Sequence, residues 1–317
     1  MKAETNDGPV RRFAWDGFSF PVPEDWDLSE YFFGRGFSSV KMEDPVALRL
    51  ELEWTRPAKR VDLAGLNERY LKGARRLGET AEEAATVNGL PAPWMGSRYA
   101  MEDGRHLVTA CRAASGARFA CLLRLHFEGT GPRKPERVLR MLASGFALHE
   151  EHIIPWEFYD MSLHLGRDFR LVSTKLEAGR KSLVFEWRLR RLFVWQFSLA
   201  NMLLKDGTPA DWGADFLGKC KRIRGVTFQA RADGSIAARR HRRFPVGHYD
   251  EIGRMCLRYR AGWARVEEKN ALVLAVYQYR SDADLEKLAR SLDGRDDLSG
   301  AILPAVRGRQ PGREVRD

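Results

Sequence analysis

The sequence has few of the features that identify a metalloprotein, a secreted protein or a membrane protein. Its 4 cysteines, at positions 111, 121, 220 and 256, form no Cys-x-x-Cys pair and no zinc-ribbon spacing. No stretch approaches the run of about 18 apolar residues that a membrane-spanning helix requires. The first dozen residues contain no apolar core of a secretory signal. We therefore expect a cytoplasmic protein without membrane insertion, whose cysteines are buried free thiols.

Motifs that define common enzyme and cofactor sites are also missing. The chain has no Gly-x-Ser-x-Gly elbow, Walker A loop, Gly-x-Gly-x-x-Gly fingerprint or His-Glu-x-x-His pair. We therefore expect no cofactor and no metal ion, and the sequence favours a binding protein over an enzyme. The enzymatic alternative is a site assembled from separate strands around His248 and Asp250, with Glu157 and His164 as further members.

The net charge of +10 is distributed unevenly along the chain. Lys and Arg outnumber Asp and Glu by only 22 to 21 in residues 1–150, but by 31 to 22 in residues 151–317. Residues 219–243 alone carry 9 positive side chains and a single acidic one, Asp233. Such a local excess is typical of a surface that binds an anionic partner.

This basic segment contains the candidate residues for binding an acidic protein partner or a polyanion. The turn at Asp233-Gly234 predicts a β-hairpin, and its returning strand would carry residues 239–243. Charged side chains would then point to both faces of that strand, which predicts an edge strand or a protruding hairpin. The predicted anion-binding residues are Lys219, Lys221, Arg222, Arg224, Arg239, Arg240, His241, Arg242 and Arg243.

Three interpretations of the basic segment remain open. Charged side chains on an edge strand protect a sheet against unwanted strand pairing, and this role requires no ligand. An acidic protein partner would bind the same charges. A single-stranded nucleic acid would also use Phe228 and Phe244 as stacking surfaces, although no helix-turn-helix, zinc-finger, KH or RNP motif is present.

A metal site in the same region is disfavoured. The side chains that are suited to bind a metal there are His241, His248, Asp250 and Glu251. The neighbouring arginines raise the electrostatic cost of holding a cation among them. The segment GHYDE at 247–251 is more typical of a turn.

Aromatic side chains and arginines are interleaved in residues 187–197, WRLRRLFVWQF. Packing in a hydrophobic core is one explanation of the aromatic residues in this stripe. Stacking of arginine on tryptophan at an exposed groove is the alternative. Both explanations remain open at the level of sequence.

The two halves of the chain share an order of predicted elements. With Trp15 aligned to Trp156, each half begins with a short alternating strand and a break marked by Pro or Gly. Alternating strands then follow at 46–54 and 182–189. The remaining elements of the first half are a helix at 62–78, a hairpin at 106–127 and a closing helix at 135–146. Those of the second half are helices at 194–207 and 210–225, a hairpin at 255–279 and a closing helix at 281–292.

The sequence therefore predicts an α+β protein of two similar units, each a mainly antiparallel sheet with helices in the order strands, helix, strands, helix. A first repeat is expected at 13–150 and a second at 151–300. The flanking segments at 1–12 and 301–317 are expected to be poorly ordered.

The opening segment GFSFPVPEDW, residues 17–26, carries a family resemblance. Together with the strand-rich centre and the closing helix, it resembles the small α+β domains of the Mog1/PsbP-like group. Since that group is mostly non-catalytic, the resemblance implies a protein that binds partner proteins or supports an assembly. This chain departs from that group in that two such domains would be joined in it as a tandem duplication, and the resemblance transfers no functional residue.

Overall fold

The computed structural model describes residues 8–34, 36–56, 85–100, 104–113, 119–128, 133–205, 207–223, 225–240, 257–294 and 296–306. The chain divides into two compact units. Unit 1 consists of Met1–Ala14 and Phe18–Leu148, and unit 2 of Trp15–Gly17 and His149–Asp317. Strands account for 52% and helices for 19% of the described residues.

Antiparallel strands dominate unit 1. The strands up to Leu148 are β1 (Val10–Trp15), β2 (Phe18–Pro23), β3 (Asp27–Phe33), β4 (Ser38–Glu43), β5 (Leu48–Thr55), β6 (Ala85–Thr86), β7 (Met95–Ala100), β8 (His106–Ala113), β9 (Ala120–Phe127) and β10 (Ala147–Leu148). Seven of them form a sheet in the order β3-β4-β5-β9-β8-β7-β6. Helix α1 (Pro135–Ser144) follows β9 and buries one apolar stripe that includes Val138, Leu139 and Leu142.

Unit 2 is built around a second sheet of seven strands. Its strands are β11 (Ile153–Phe158), β12 (Met161–Gly166), β13 (Arg170–Glu177), β14 (Arg180–Trp187), β15 (Arg190–Ser198), β16 (Val226–Ala230), β17 (Ile236–Arg240), β18 (Arg258–Val266) and β19 (Ala271–Tyr279). The sheet order is β13-β14-β15-β19-β18-β17-β16. The helices are α2 (Ala200–Leu203), α3 (Pro209–Lys219), α4 (Asp282–Arg290) and α5 (Asp297–Val306), and a 3-10 turn spans Glu267–Lys269.

The two seven-stranded sheets have the same connectivity. In each sheet, the first three strands form a meander, and the third strand pairs with the last one, β5 with β9 and β15 with β19. From the last strand to the opposite edge, the remaining strands follow in reverse sequence order, as β8, β7, β6 in one sheet and β18, β17, β16 in the other. Strands β5, β9, β15 and β19 therefore lie in the interior of their sheets, where each has a neighbouring strand on both sides.

The predicted α+β class with strands, helix, strands, helix in each unit is wrong, because the structure consists mostly of antiparallel β-sheet. The clearest error concerns residues 194–207, which were predicted as a helix. Strand β15 covers Arg190–Ser198, and only Ala200–Leu203 are helical. Because β15 is a central strand, Leu192 to Phe197 are all buried, and the run lacks the alternation that identifies a half-exposed strand.

Other predicted elements had mixed outcomes. The helices at 135–146, 210–225 and 281–292 are confirmed in shortened form as α1, α3 and α4. The strands at 46–54 and 182–189 exist, but they are the third strand of one sheet and the second strand of the other. The predicted helix at 62–78 lies outside the described residues.

Both segments that were expected to be poorly ordered contain regular structure. Strand β1 begins at Val10, within the segment 1–12, and buries Phe13 and Trp15 farther along. Helix α5 extends from Asp297 to Val306, into the predicted tail. Its residues Leu298, Ala301 and Ile302 are buried, so apolar burial explains why this part of the segment is helical.

Rings from β15 and helix α3 form the aromatic centre of the core of unit 2. The ring centroid of Phe197 lies 4.6 Å from that of Trp212 and 4.9 Å from that of Phe216, both in edge-on geometry. Trp195 meets Phe216 at 5.6 Å. The core-packing explanation of the aromatic stripe is therefore correct for Phe193, Trp195 and Phe197, which belong to the same buried cluster.

The described cysteines are free thiols, and the predicted burial holds for Cys111 and Cys121 but not for Cys220, which is half-buried. Cys111 on β8 and Cys121 on β9 are fully buried on neighbouring strands. Burial raises the pKa of both thiols, which disfavours the reactive thiolate. Cys256 lies outside the described residues.

Candidate functional site

The structure places four residues of the predicted basic segment in α3, in the turn that follows it and on β17 of unit 2. Lys219 ends helix α3, Lys221 and Arg222 lie in the turn that follows, and Arg239 lies on β17. We call these four residues the basic surface. The backbone of Arg240 also belongs to β17. Four further predicted residues lie outside the described part of the chain: Arg224, His241, Arg242 and Arg243.

The predicted hairpin at Asp233-Gly234 is present. The side chain of Asp233 accepts hydrogen bonds from the backbone N–H and the hydroxyl of Ser235, at 2.9 and 2.6 Å, and Gly234 has φ of 77°. Strand β17 pairs with β16 along its length, with Thr227 opposite Arg239. The edge strand of the sheet is β16, and on its other side β17 pairs with β18 at Ile236 alone, so within the described residues Arg239 and Arg240 pair only with β16.

Of the two rings predicted to stack on bases, Phe228 and Phe244, the structure describes only Phe228, and its ring is not exposed to a ligand. Phe228 on β16 is 6% exposed and belongs to the core cluster of unit 2. Phe244 lies outside the described residues. The structure therefore gives no support to the aromatic part of a nucleic-acid site.

Two of the four residues of the basic surface, Arg222 and Arg239, have no ion-pair partner among the described residues. Lys219 Nζ lies 2.6 Å from Asp215 Oδ2, but both side chains are mostly exposed, and such pairs contribute little. Arg222 and Arg239 are exposed, and neither has a carboxylate within 4.0 Å among the described residues. The groove between α3 and β16 contains both Asp215 and Lys219, so the uncompensated charge lies at the two arginines.

The predicted metal and acid–base residues are not assembled into a site within the described chain. His248, Asp250 and Glu251 lie outside the described residues. Elsewhere in the described chain, no group of three or more His, Cys, Asp and Glu side chains is arranged to hold a metal ion.

His164, a member of the enzymatic alternative, contacts two carboxylates. Its Nδ1 lies 3.3 Å from Asp296 Oδ2 and 3.7 Å from Asp293 Oδ2. Asp296 also accepts a 2.7 Å hydrogen bond from the backbone N–H of Ser299, in the first turn of α5. The histidine therefore links β12 to the start of a helix, which is a structural role.

The ion pair of His164 predicts a pH-dependent stability. The carboxylate of Asp296, 3.3 Å from Nδ1, and the nearby charges of Asp293 and Glu157 raise the pKa of His164, although burial opposes this. The contribution is complete below the unfolded pKa of about 6.5 and is lost as the pH rises through the folded value. We therefore expect the wild type to have a higher melting temperature than His164→Gln below about pH 6, and this difference to shrink as the pH rises above that value. A difference that stays constant as the pH rises would contradict the ion pair.

A second feature of unit 2 is a groove beside Trp187, at the opposite edge of the sheet. It has a volume of about 470 Å³, and we call it the Trp187 groove. Its walls come from the turn between β12 and β13, the start of β13, the end of β14 and the turn into β15. The lining residues are Arg167, Asp168, Arg170, Val172, Glu186, Trp187 and Arg188.

Three cations surround the ring of Trp187. The guanidinium carbons of Arg190 and Arg188 lie 5.1 and 5.4 Å from a ring centroid, and Lys287 Nζ lies 5.6 Å away. Arg188, with φ of 56°, begins the two-residue turn between Trp187 and Arg190, which pair with each other. The stacking explanation of the aromatic stripe is therefore correct for Trp187, as core packing is for Trp195.

Comparisons with known proteins identify no family. No family model matches the chain, and no curated protein matches it. Among solved structures, the solution structure of cyanobacterial PsbP (CyanoP) from Synechocystis sp. PCC 6803 matches with 14% identity and a TM-score of 0.35, over 47% of this chain and 98% of that one. A crystal structure from Bacteroides thetaiotaomicron VPI-5482 matches with 12% identity and a TM-score of 0.26, over 71% and 65%.

One of these two structures is a PsbP protein, the group that the opening segment resembles. At these TM-scores neither structure supports a conclusion about fold or function. Among the described residues, no helix has both the length and the apolarity needed to span a bilayer.

Proposed function

We propose that the protein is a non-enzymatic intracellular binding protein whose unit 2 presents the basic surface to an acidic protein partner. The observation that carries the proposal is the pair of exposed arginines, Arg222 and Arg239, which lack a carboxylate partner among the described residues. Arginine binds carboxylates with two parallel hydrogen bonds, so such a pair is well suited to acidic side chains.

An acidic protein is favoured over a nucleic acid by the position of Phe228. Binding of a single strand relies on aromatic rings that stack against bases, and this ring is buried in the core. The guanidinium groups of Arg222 and Arg239 attract carboxylates and phosphates alike. The two kinds of partner are therefore distinguished by comparing the binding of poly-glutamate with that of single-stranded DNA.

The test is a variant that removes the two uncompensated charges, Arg222→Gln/Arg239→Gln. Exposed side chains without a partner contribute within about 0.5 kcal/mol each, so the melting temperature should change little. Binding to poly-glutamate should weaken, and its dependence on salt should become less steep. The matched control is Arg105→Gln/Lys134→Gln, which removes two exposed charges from unit 1 and should leave binding unchanged.

Three results would contradict the proposal. Unchanged poly-glutamate affinity of the Arg222→Gln/Arg239→Gln variant would exclude the basic surface as the binding site. Unfolding of this variant would show that the arginines are structural. Single-stranded DNA that binds much more tightly than poly-glutamate of equal charge, with a slope in log salt reduced by about 1.4 in the variant, would favour the nucleic-acid alternative.

We also propose that the two sheets derive from a tandem duplication. Their shared strand order, from β3 to β9 and from β13 to β19, supports this origin. The test is a strand-by-strand superposition of the two sheets in an experimental structure. We expect all seven strands to match in order and direction, and opposite hands of the connection from the third strand to the fourth would contradict duplication.

A further inference from the structure

The residues that line the Trp187 groove include three arginines but only two carboxylates, and both carboxylates are paired with other cations. Asp168 forms an ion pair with Lys287, and Glu186 forms one with Arg191 at 2.8 Å. Both carboxylates of the groove are therefore neutralised by cations that are not among its lining residues. The three cations that remain are Arg167, Arg170 and Arg188.

None of these three arginines forms an ion pair in the described chain. No carboxylate lies within 4.0 Å of any of them, and all three are exposed. Arg167 donates one hydrogen bond to the backbone carbonyl of Glu150, at 3.2 Å, which holds the side chain but does not neutralise its charge. The groove thus presents three guanidinium groups that are not engaged in ion pairs within the described residues.

Two of the three arginines are also held in place before any ligand binds. Arg188 rests against Trp187 and lies in a tight two-residue turn. Arg167 is held by its hydrogen bond to the carbonyl of Glu150. A guanidinium that is already ordered loses less side-chain entropy when it binds an anion.

The walls of the groove set the class of the anion. A carboxylate carries one negative charge, whereas a phosphate monoester carries about −1.5 to −2 and has three terminal oxygens, one for each of the three guanidinium groups. Val172, 50% exposed at the groove, adds an apolar surface for the group that carries the phosphate. The volume lies within the range of small-ligand sites.

We propose that the Trp187 groove is a binding site for a small phosphate monoester with an apolar substituent. The site is distinct from the basic surface, because β14 and β17 lie four strand positions apart in the sheet order, about 19 Å at the usual spacing. Its existence is therefore independent of the acidic partner proposed above.

The test is calorimetric titration of the full chain with phenyl phosphate. We expect saturable binding, weaker binding of inorganic phosphate, and the weakest binding of benzoate. Arg170→Gln/Arg188→Gln should weaken phenyl phosphate binding by about tenfold for each guanidinium removed. The matched control Arg222→Gln/Arg239→Gln removes the same net charge at the other edge and should bind phenyl phosphate like the wild type.

Each contrary result overturns a defined part of the proposal. Absence of saturable binding, or equal affinity in the wild type and a folded Arg170→Gln/Arg188→Gln variant, would exclude the site. Equal affinities for phenyl phosphate and inorganic phosphate would exclude the role of the apolar wall. Benzoate binding as tight as phenyl phosphate binding would exclude selection for phosphate.

Discussion

Replacement of Asp284 by alanine is expected to lower the free energy of unfolding of unit 2 by about 3 to 5 kcal/mol. Asp284 is 5% exposed, and its Oδ1 lies 2.9 Å from Nη2 of Arg190, which is 15% exposed. Its Oδ2 accepts hydrogen bonds from the backbone N–H groups of Arg280 and Ser281, at 2.7 and 3.1 Å. Removal of the carboxylate would leave a largely buried guanidinium and the start of α4 without their partner.

The lowered pKa of Asp284 is consistent with these contacts to Arg190, Arg280 and Ser281. Burial by itself would raise the pKa, but the hydrogen bonds from Arg190 and from the backbone of Arg280 and Ser281 lower it overall. Because the folded pKa is depressed, this stabilisation is present above the unfolded pKa of about 3.9 and is lost as the pH falls through the folded value.

Urea denaturation of the wild type and Asp284→Ala, followed by circular dichroism, measures the effect. The matched control is Asp282→Ala, in the same helical turn, where the side chain is 84% exposed and a change below about 1 kcal/mol is expected. A loss of less than about 1 kcal/mol for Asp284→Ala would contradict the buried ion pair.

Replacement of Leu274 by alanine is expected to cost about 2 to 5 kcal/mol of unfolding free energy. Leu274 on β19 is fully buried in the cluster where α3 packs on the sheet, opposite Trp195 in the strand pairing. Truncation to alanine would remove buried apolar surface and leave a cavity that this central strand cannot close.

A second substitution tests the packing at this point more sharply. A Cβ atom at Gly213 of α3 would lie 3.2 Å from Leu274 Cδ1 and 3.0 Å from Ile236 Cδ1, closer than an ordinary contact. Gly213→Ala should therefore gain less than the usual helix propensity of about 1 kcal/mol in the wild type. In the Leu274→Ala background the added methyl group should fill part of the cavity and recover stability.

The two changes should therefore be coupled by about 0.5 to 3 kcal/mol in a double-mutant cycle. Gly218→Ala, in the same helix with open space around the added atom, is the matched control and should have the same effect in both backgrounds. Additive effects of Gly213→Ala and Leu274→Ala would show that α3 does not pack on the sheet as described.

The sequence predicted local features better than the order of the strands. The turn at Asp233-Gly234 and the start of α4 at Ser281 depend on a few adjacent residues, and both are present in the structure. Strand β15 was missed because its burial on both faces erases the period of two. The hairpin of β3 and β4 was also missed, since most of β3 is exposed and its aromatic residues Phe32 and Phe33 are not core residues.

The candidate sites differ in how far sequence could reveal them. The basic surface was visible because its charges lie close together in the chain. The Trp187 groove was visible only as one of two explanations of an aromatic stripe, because its arginines at 167, 170 and 188 come from separate turns and strands. That Asp168 and Glu186 are neutralised by Lys287 and Arg191 depends on three-dimensional contacts that no spacing in the sequence indicates.

Mapping the site at which poly-glutamate binds tests the proposed function most directly. In a titration of the isotope-labelled chain followed by nuclear magnetic resonance, we expect the largest backbone shift changes at Lys219, Lys221, Arg222 and Arg239. The same changes should be lost in Arg222→Gln/Arg239→Gln. Shift changes confined to unit 1, or binding that persists unchanged in this variant, would contradict the proposal that unit 2 binds an acidic partner through its basic surface.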